Sequence, residues 1–545
     1  MEVLVSLDNS NNLNPDALDS GYILAHDLGT SGNKASLYDA SGKLVASSFY
    51  GYEPVYLSVT WVEEDPGDWW EAVCSSTRAL LRDSGIPPSA IACITFSGQM
   101  MGCLPVDAGA RPLRRAIIWA DHRATEQAMR LEDSLGGIEA IYGLTGHRVN
   151  AGYSIPKIMW IRDNEPDIYA RARKFLNAKD FIVAKLTGRF ATDYSDASGM
   201  GALDLRTRSW SVQVLDAAHI DVDKLPDLHA SRDVVGEVTA GAAEETGLAP
   251  GTPVVIGGGD GVCATAGAGV VREGEGYICI GSSSWAALAT GEPILDARMR
   301  TFTFVHLDDR MYSPCGPMQA GGGSYNWARH VLSPVESIVA ADLGLSPYEV
   351  MNEEARTVPA GAERLVYLPH LMGERSPYWN PQARGAFVGL TSKHGRPHMI
   401  RAILEGVAFH LRMIMDAFEE YTHVDRVRVI GGGARSELWR QIMADVLRKP
   451  VLRPRFLEEA TSLGAAIAGG VGVGIFKDFS VAEDLVEIVD IQEPNPDNAE
   501  IYDGLYRVFK DTYRALEPIY RELAELPGTY SQVPPHPSPL PGFCT

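Results

Sequence analysis

A strand, a tight glycine-rich polar turn and a second strand occupy residues 22–38, and the same arrangement returns at 276–290. The first unit runs Tyr22-Ile23-Leu24-Ala25, then His26-Asp27-Leu28-Gly29-Thr30-Ser31-Gly32-Asn33-Lys34, then Ala35 to Tyr38. The second runs Gly276–Ile280, the turn Gly281-Ser282-Ser283-Ser284, then Trp285–Thr290. Gly/Ser hairpins are common, so the recurrence has two readings. It is coincidence, or it marks a duplicated α/β domain with a cleft between two lobes. Length favours two lobes, because 545 residues exceed one ordinary core.

The first turn carries a carboxylate, two small hydroxyls, glycines and a lysine. Glycine lets backbone approach a ligand closely, and successive N–H groups form an anion-binding nest. Asp27 at the strand end suits a hydrated Mg²⁺ beside phosphates. Together these point to a nucleoside triphosphate site; the alternative is an ordinary hairpin turn.

Composition narrows the classes. Apolar residues make up 45% and charged residues 22%, as in a soluble globular protein. The net charge of −22 argues against nucleic-acid or anionic-membrane partners. A nucleotide still binds if N–H groups, helix ends and Mg²⁺ act locally. The seven cysteines show no CxxC spacing and read as small buried apolar residues in a reducing compartment. No signal-peptide pattern opens the chain. Leu463–Phe476 is too short and glycine-rich to span a bilayer. The reading is a cytoplasmic protein.

Along the chain, residues 1–20 read as a loose extension, and the fold starts at Gly21. Tyr22–Asp27, Lys34–Tyr38 and Leu44–Tyr50 form an antiparallel meander. Asp68–Asp83 is helical in pattern, Ala92–Phe96 is a strand entering Ser97-Gly98-Gln99-Met100-Met101-Gly102, and helical patterns dominate Arg123–Gly188. The strand Thr252–Gly257 runs into Gly257-Gly258-Gly259-Asp260-Gly261, and Ala264–Gly269 are small enough to pack a helix closely. Val424–Ile430 is a strand ending in Gly431-Gly432-Gly433-Ala434, followed by the helix Ser436–Leu447. The proline-rich segment 527–545 reads as disordered.

These four glycine-rich loops, in this order, resemble the FGGY family of carbohydrate kinases. Gly152-Tyr153-Ser154-Ile155-Pro156-Lys157-Ile158-Met159-Trp160-Ile161-Arg162-Asp163-Asn164 looks like one family signature. Gly385-Ala386-Phe387-Val388-Gly389-Leu390 with His398-Met399-Ile400-Arg401-Ala402-Ile403-Leu404-Glu405 looks like the other. Within the family the look is of xylulokinases, through Gly29-Thr30-Ser31-Gly32, Gly98-Gln99-Met100, Gly373-Glu374-Arg375-Ser376-Pro377 and Gly431–Glu437; Trp119–Ala124 also looks like ribulokinase-type members. No GxxxxGK[ST], HExxH or GxSxG competes. The resemblance implies an α/β fold of two actin-like, ribonuclease-H-like domains with an interdomain catalytic cleft. The sugar-binding domain would cover 21–265 and the nucleotide-binding domain 266–526. It implies ATP and Mg²⁺ as cofactors, a small sugar as partner, and a homodimer whose interface nothing in the sequence locates.

Carried over residue by residue, the resemblance makes Asp260 the catalytic base; the alternative is that Asp260 only caps the following helix. Asp27 is placed near Mg²⁺, with Gly29, Thr30 and Ser31 at the β- and γ-phosphates. Gly281, Ser282 and Ser283 form the second phosphate loop, serine standing where the family usually has threonine. Gly432, Gly433, Ala434 and Glu437 fall on the adenosine side. Gly322 and Asn326 line the nucleotide or simply pack a helix. Gln99, Met100, Met101, Asp260 and Gly261 face the sugar. Xylulokinases usually have His at the Met101 position and Asn at the Gly261 position. Both changes remove hydrogen-bonding groups, unless Asp121, His122 or Arg123 replaces them. Trp119 is a stacking face or core. The implied reaction is phosphorylation of a ketopentose such as xylulose. The alternatives are another ketose or polyol, or a non-catalytic sugar- or nucleotide-binding regulator.

Overall fold

The computed structural model describes residues 3–5 and 21–526. The first sheet is built from β1 (Val3–Val5), β2 (Tyr22–Gly29), β3 (Gly32–Tyr38), β4 (Leu44–Gly51), β5 (Ile91–Gly98), β6 (Val234–Glu237), β7 (Pro253–Val255) and β8 (Gly258–Gly259). Its order is β1-β4-β3-β2-β5-β7-β6, with β8 beside β5. β2, β3 and β4 are the expected antiparallel meander; β5 and β7 then run parallel to β2 and β5. Within the segment read as a loose extension, Val3–Val5 pairs with Ser47–Phe49. The rest of that segment and the proline-rich tail lie outside the described residues.

The second sheet repeats the plan with β9 (Glu275–Ile280), β10 (Ser284–Leu288), β11 (Phe302–Val305), β12 (Tyr312–Met318), β13 (Arg426–Ile430), β14 (Val451–Pro454) and β15 (Ile488–Gln492). Its order is β11-β12-β10-β9-β13-β14-β15. Again a meander is followed by two parallel strands and an antiparallel edge. The echo between the two hairpins is therefore a duplicated architecture.

Strand alternation gives the first sheet two apolar faces. One face (Tyr22, Leu24, Leu37, Ile94, Phe96) packs on Trp69, Ala72 and Val73 of α1 (Pro66–Ser84). Asp65 caps that helix by accepting from Gly67 N at 2.9 Å, Pro66 sits at N1, and Gly85 ends it at φ 67°. Four further helices matter for the site: α2 (Ala178–Thr187), α3 (Tyr194–Met200), α4 (Asp260–Gly267) and α5 (Gly321–Val331). In the second lobe, α6 (Arg396–Glu419) and α9 (Ala499–Glu525) share a core, through Ile403, Val407, Tyr502 and Phe509. Between them come α7 (Glu437–Leu447) and α8 (Ala460–Gly472).

The other face of the first sheet is covered from far along the chain. Ile23, Ala25, Cys93 and Val255 pack against Leu463, Ala466 and Ile467 of α8. In exchange, α4 turns Ala264 and Ala268 towards Tyr277 and Ala287 of the second sheet. The two helices cross where each has a glycine. A Cβ on Gly267 would collide with the Ala460 carbonyl, and one on Gly464 with the Cys263 carbonyl. Backbone cannot move aside as a flexible side chain does. Gly464→Ala is therefore expected to cost about 1–3 kcal/mol of stability, read as a lower urea midpoint. An unchanged midpoint would mean the crossing has slack.

The stretch Leu463–Phe476 thus begins inside a buried helix, and no helix among the described residues is long and apolar enough to cross a membrane. The described cysteines are all unpaired, with Cys74, Cys93, Cys103 and Cys263 buried and Cys279 and Cys315 partly so.

Candidate active site

Asp260 opens α4 directly after three glycines that thread a crowded passage. A side chain on Gly257, which has φ 69°, would strike Phe96; one on Gly258 would strike Leu307 and one on Gly259 would strike Met100. Only glycine fits such close backbone approaches. The passage delivers the Asp260 carboxylate, partly open to solvent, at the helix head. Its Oδ1 accepts from Gly261 N at 2.7 Å. Burial of its surroundings, then the nearby Asp27 carboxylate, push its pKa up to about 7. Gly259 occupies the N-cap position and Asp260 the first helical one, where its carboxylate also satisfies a first-turn N–H.

Asp27 sits near the end of β2, opposite Lys34. Its Oδ2 accepts from Thr461 Oγ1 at 2.5 Å, from the start of α8. Burial raises its pKa, against hydrogen bonds from Thr461 and Ser97 and the charge of Lys34. Lys34 itself pairs with Glu459 at 3.3 Å, which places it on the interlobe side. Asp27, with the hydroxyls of Thr461 and Ser97 around it, offers oxygen donors that fit a hard divalent cation such as Mg²⁺.

The phosphate-type turns come from equivalent hairpins of the two sheets. In the first, Gly29 and Thr30 are partly exposed and Ser31 is exposed. Thr30 Oγ1 accepts from Trp119 Nε1 at 2.9 Å, and Tyr52 OH donates to Gly29 O at 2.5 Å. In the second, Ser282 and Ser283 are exposed and Gly281 partly so. Gly322 N donates to Gly281 O at 2.9 Å and Gly323 N to Ser282 O at 2.8 Å. Gly322 thus braces this turn from the start of α5, and its N–H is committed to the turn. Asn326 is exposed on α5, accepting from Tyr348 OH at 3.1 Å.

The third loop follows β13. Gly432 is exposed with open space over it, and Gly433 is wedged against Ile280. Ala434 is fully buried in the second-lobe core, so its side chain is packing, not a ligand contact. Ser436, the residue before Glu437, caps α7 through Trp439 N. Glu437 is exposed, 3.7 Å from Arg356.

The residues expected at the sugar separate sharply. Gln99 is buried and donates to Glu64 Oε2 at 2.7 Å; burial lifts that carboxyl to about 7. Met100 is buried under Gly259 and Gly199. Met101 is the partly exposed member, held at φ 63°. A left-handed conformation is uncommon for methionine and marks a constrained loop. Its carbonyl accepts from Lys157 Nζ at 2.8 Å. Gly261 faces open space, so the missing side chain widens the site beside Asp260.

Asp121 and Arg123 do not replace the lost contacts. They are buried and bonded to one another, with Glu63 on Arg123 at 2.8 Å and its guanidinium between Trp61 and Trp160. His122 is exposed. Trp119 is 41% exposed, so it is not core. Four residues the sequence reading missed also reach the site. Thr461 touches Asp27, and Tyr277 OH donates to Gly261 O at 3.1 Å while accepting from Trp285 Nε1 at 2.6 Å. Arg375 is partly exposed and makes no ion pair with the described residues; its charge is felt by His122, Tyr153 and Cys315.

Comparison with known proteins agrees with this arrangement. Residues 22–267 match the N-terminal domain of the FGGY family of carbohydrate kinases, and residues 276–473 match its C-terminal domain. The chain is 33% identical over 509 residues to a gluconokinase of Bacillus subtilis, covering 93% of this chain and 98% of that one. It is 31% identical over 494 residues to a xylulose kinase of the same species, covering 90% and 96%. A ligand-bound xylulose kinase structure from Lactobacillus acidophilus superposes with a TM-score of 0.85 at 29% identity, over 92% of this chain and 99% of that one. The two-lobed actin-like fold and both family domains are thus present, and the chain is a member of the FGGY family of carbohydrate kinases.

Proposed function

We propose that the protein transfers the γ-phosphoryl group of Mg²⁺·ATP to a hydroxyl of an open-chain sugar in the interlobe cleft, with Asp260 as the base. The observation that carries this is Asp260 itself. It is a carboxylate poised near neutrality at a helix head, beside Asp27 and the two glycine-hydroxyl turns. Asp27 would hold the cation through water, and the bound cation would neutralise charge on the transferring group. Ser31, Ser282 and Ser283, with the turn N–H groups that remain unpaired, would hold the phosphates. Asp260 takes the acceptor proton at its carboxylate as the hydroxyl oxygen forms its bond to phosphorus and ADP leaves.

A ketopentose such as xylulose is the first reading for the acceptor. Arg375 favours a second, a sugar acid. An unpaired guanidinium among His122, Tyr153 and Cys315 suits a carboxylate, and Met101 and Gly261 offer no side-chain donor to a neutral sugar. ADP release with Mg²⁺·ATP, measured against pentuloses, tetruloses, hexuloses, polyols and aldonates, separates the two. The pentulose reading expects highest kcat/KM on a pentulose, with Arg375→Met nearly neutral. The acid reading expects an aldonate, with Arg375→Met losing about 10- to 100-fold, as for a lost charge-assisted hydrogen bond. Silence across the panel would overturn the kinase reading.

A further inference from the structure

We propose that Ser195 and Ser198 are positioning residues, which tie the aim of Asp260 to the position of the second lobe through the short helix α3. The inference rests on the reading of Asp260 as the base. The two serines lie three residues apart, hence on one helix face. Both are fully buried. Ser195 Oγ accepts from Gly259 N at 2.9 Å, so it grips the residue immediately before Asp260. It also donates to Asp193 Oδ2, the N-cap carboxylate of α3. Ser198 Oγ accepts from Val305 N at 3.2 Å, while donating to Tyr194 O at 2.8 Å. Val305 ends β11, the edge strand of the second sheet.

One helix therefore holds the catalytic loop with one hydroxyl and the opposite lobe with the next. The start of α3 is fixed within the first lobe, because Asp193 pairs with buried Lys179 of α2 at 2.9 Å. Movement of β11 reaches Asp260 through α3, from Val305 to Ser198 and from Ser195 to Gly259. A parallel contact points the same way. Leu307, two residues beyond Val305, lies where a Gly258 side chain would stand, and its carbonyl accepts from Ser231 Oγ. Losing Ser195 Oγ would leave the Gly259 N–H buried and unpaired, which backbone relieves only by shifting. Such a shift moves the Asp260 carboxylate away from the acceptor hydroxyl. Ground-state binding of both substrates is expected to hold, since the two hydroxyls are spent on Gly259, Asp193, Val305 and Tyr194 within the protein.

The test uses the full chain and the panel acceptor with highest turnover. Ser195→Ala and Ser198→Ala are each expected to lower kcat about 10- to 100-fold, the scale of a displaced catalytic group. KM for ATP and acceptor should stay within about twofold, since the loss falls on the transition state alone. Threonine, which keeps the hydroxyl, should restore most of kcat at either position. The double alanine variant should be no slower than the slower single one, because both act through one element. Full kcat in Ser198→Ala, losses that multiply in the double variant, or losses confined to KM would each overturn the coupling. In those cases Asp260→Asn would still be inactive, so the base reading survives separately. Should Ser195→Ala fail to fold, the Ser198 alanine and threonine variants decide the matter alone.

Discussion

Asp260→Ala is expected to lower turnover by about 10²- to 10⁴-fold, the range general-base catalysis supplies, with Mg²⁺·ATP binding by calorimetry nearly unchanged. The Asp260 side chain accepts only from Gly261 N among the described residues and bonds to neither phosphate turn, so its removal leaves their donors in place. The intact protein gives a second readout. With Asp260 near 7, the working form is the ionised one, so kcat/KM rises with pH and levels off above about 7. Stability runs in the opposite sense. The folded-state pKa lies above the ordinary aspartate value of 3.8, so the group favours folding when protonated, and that contribution disappears as pH rises through about 7. Asp260→Asn should therefore raise Tm at alkaline pH and converge with the parent in acid. Undiminished turnover in either variant would remove Asp260 from the base role.

Lys179→Met is expected to cost about 3–5 kcal/mol of stability, the price of breaking a buried ion cluster by removing one member. Lys179 Nζ lies 2.7 Å from Asp180, 2.9 Å from Asp193 and 3.3 Å from Asp196, all fully buried or nearly so. Burial alone would lower the ammonium, but the three carboxylates outweigh it and hold it well above its ordinary value. Burial keeps Asp196 well above the usual carboxylate range even with that cation present. Without the cation the acids have no counter-charge, and each must be protonated or pay for ionisation in the core. The deficit should grow as pH rises from about 5 to about 8, since ionisation is what the variant cannot support. Urea titrations at the two pH values check this. Equal deficits would show that the cluster acts by packing rather than charge.

Local pattern carried most of the architecture. The two hairpins, the glycine loops and Asp260 announce themselves through short-range chemistry, namely alternating apolar residues, turn formers and a strand running into glycines. The site's finer assembly was not legible, because its contacts join residues far apart in sequence. Thr461 meets Asp27 across 434 positions, and Trp119 meets Thr30 across 89. Nothing in the composition around Thr461 distinguishes it from any hydroxyl near a helix start. Trp119 carried two readings, and only its exposure separates them. Ala434 is buried and the Gly322 N–H is taken up by the Gly281 carbonyl. Both sit in loops of the right kind, but side chains in such loops divide between ligand and scaffold according to which way each points. Gln99 and Met100 show the same division within three residues, since Met101 alone of the three stays partly open.

The exchange of helices between lobes has a consequence for how the chain is made. Residues 21–265 contain every strand of the first sheet but β1, yet the cover for Ile23, Ala25 and Cys93 comes from α8, which ends at Gly472. During synthesis the first lobe must wait with one apolar face bare until those residues emerge. The roughly 200 intervening residues take about 10–40 s at 5–20 residues per second. A ribosome-bound intermediate with that face open is a natural client for a chaperone, and a first lobe made alone would expose Ile23, Ala25 and Cys93.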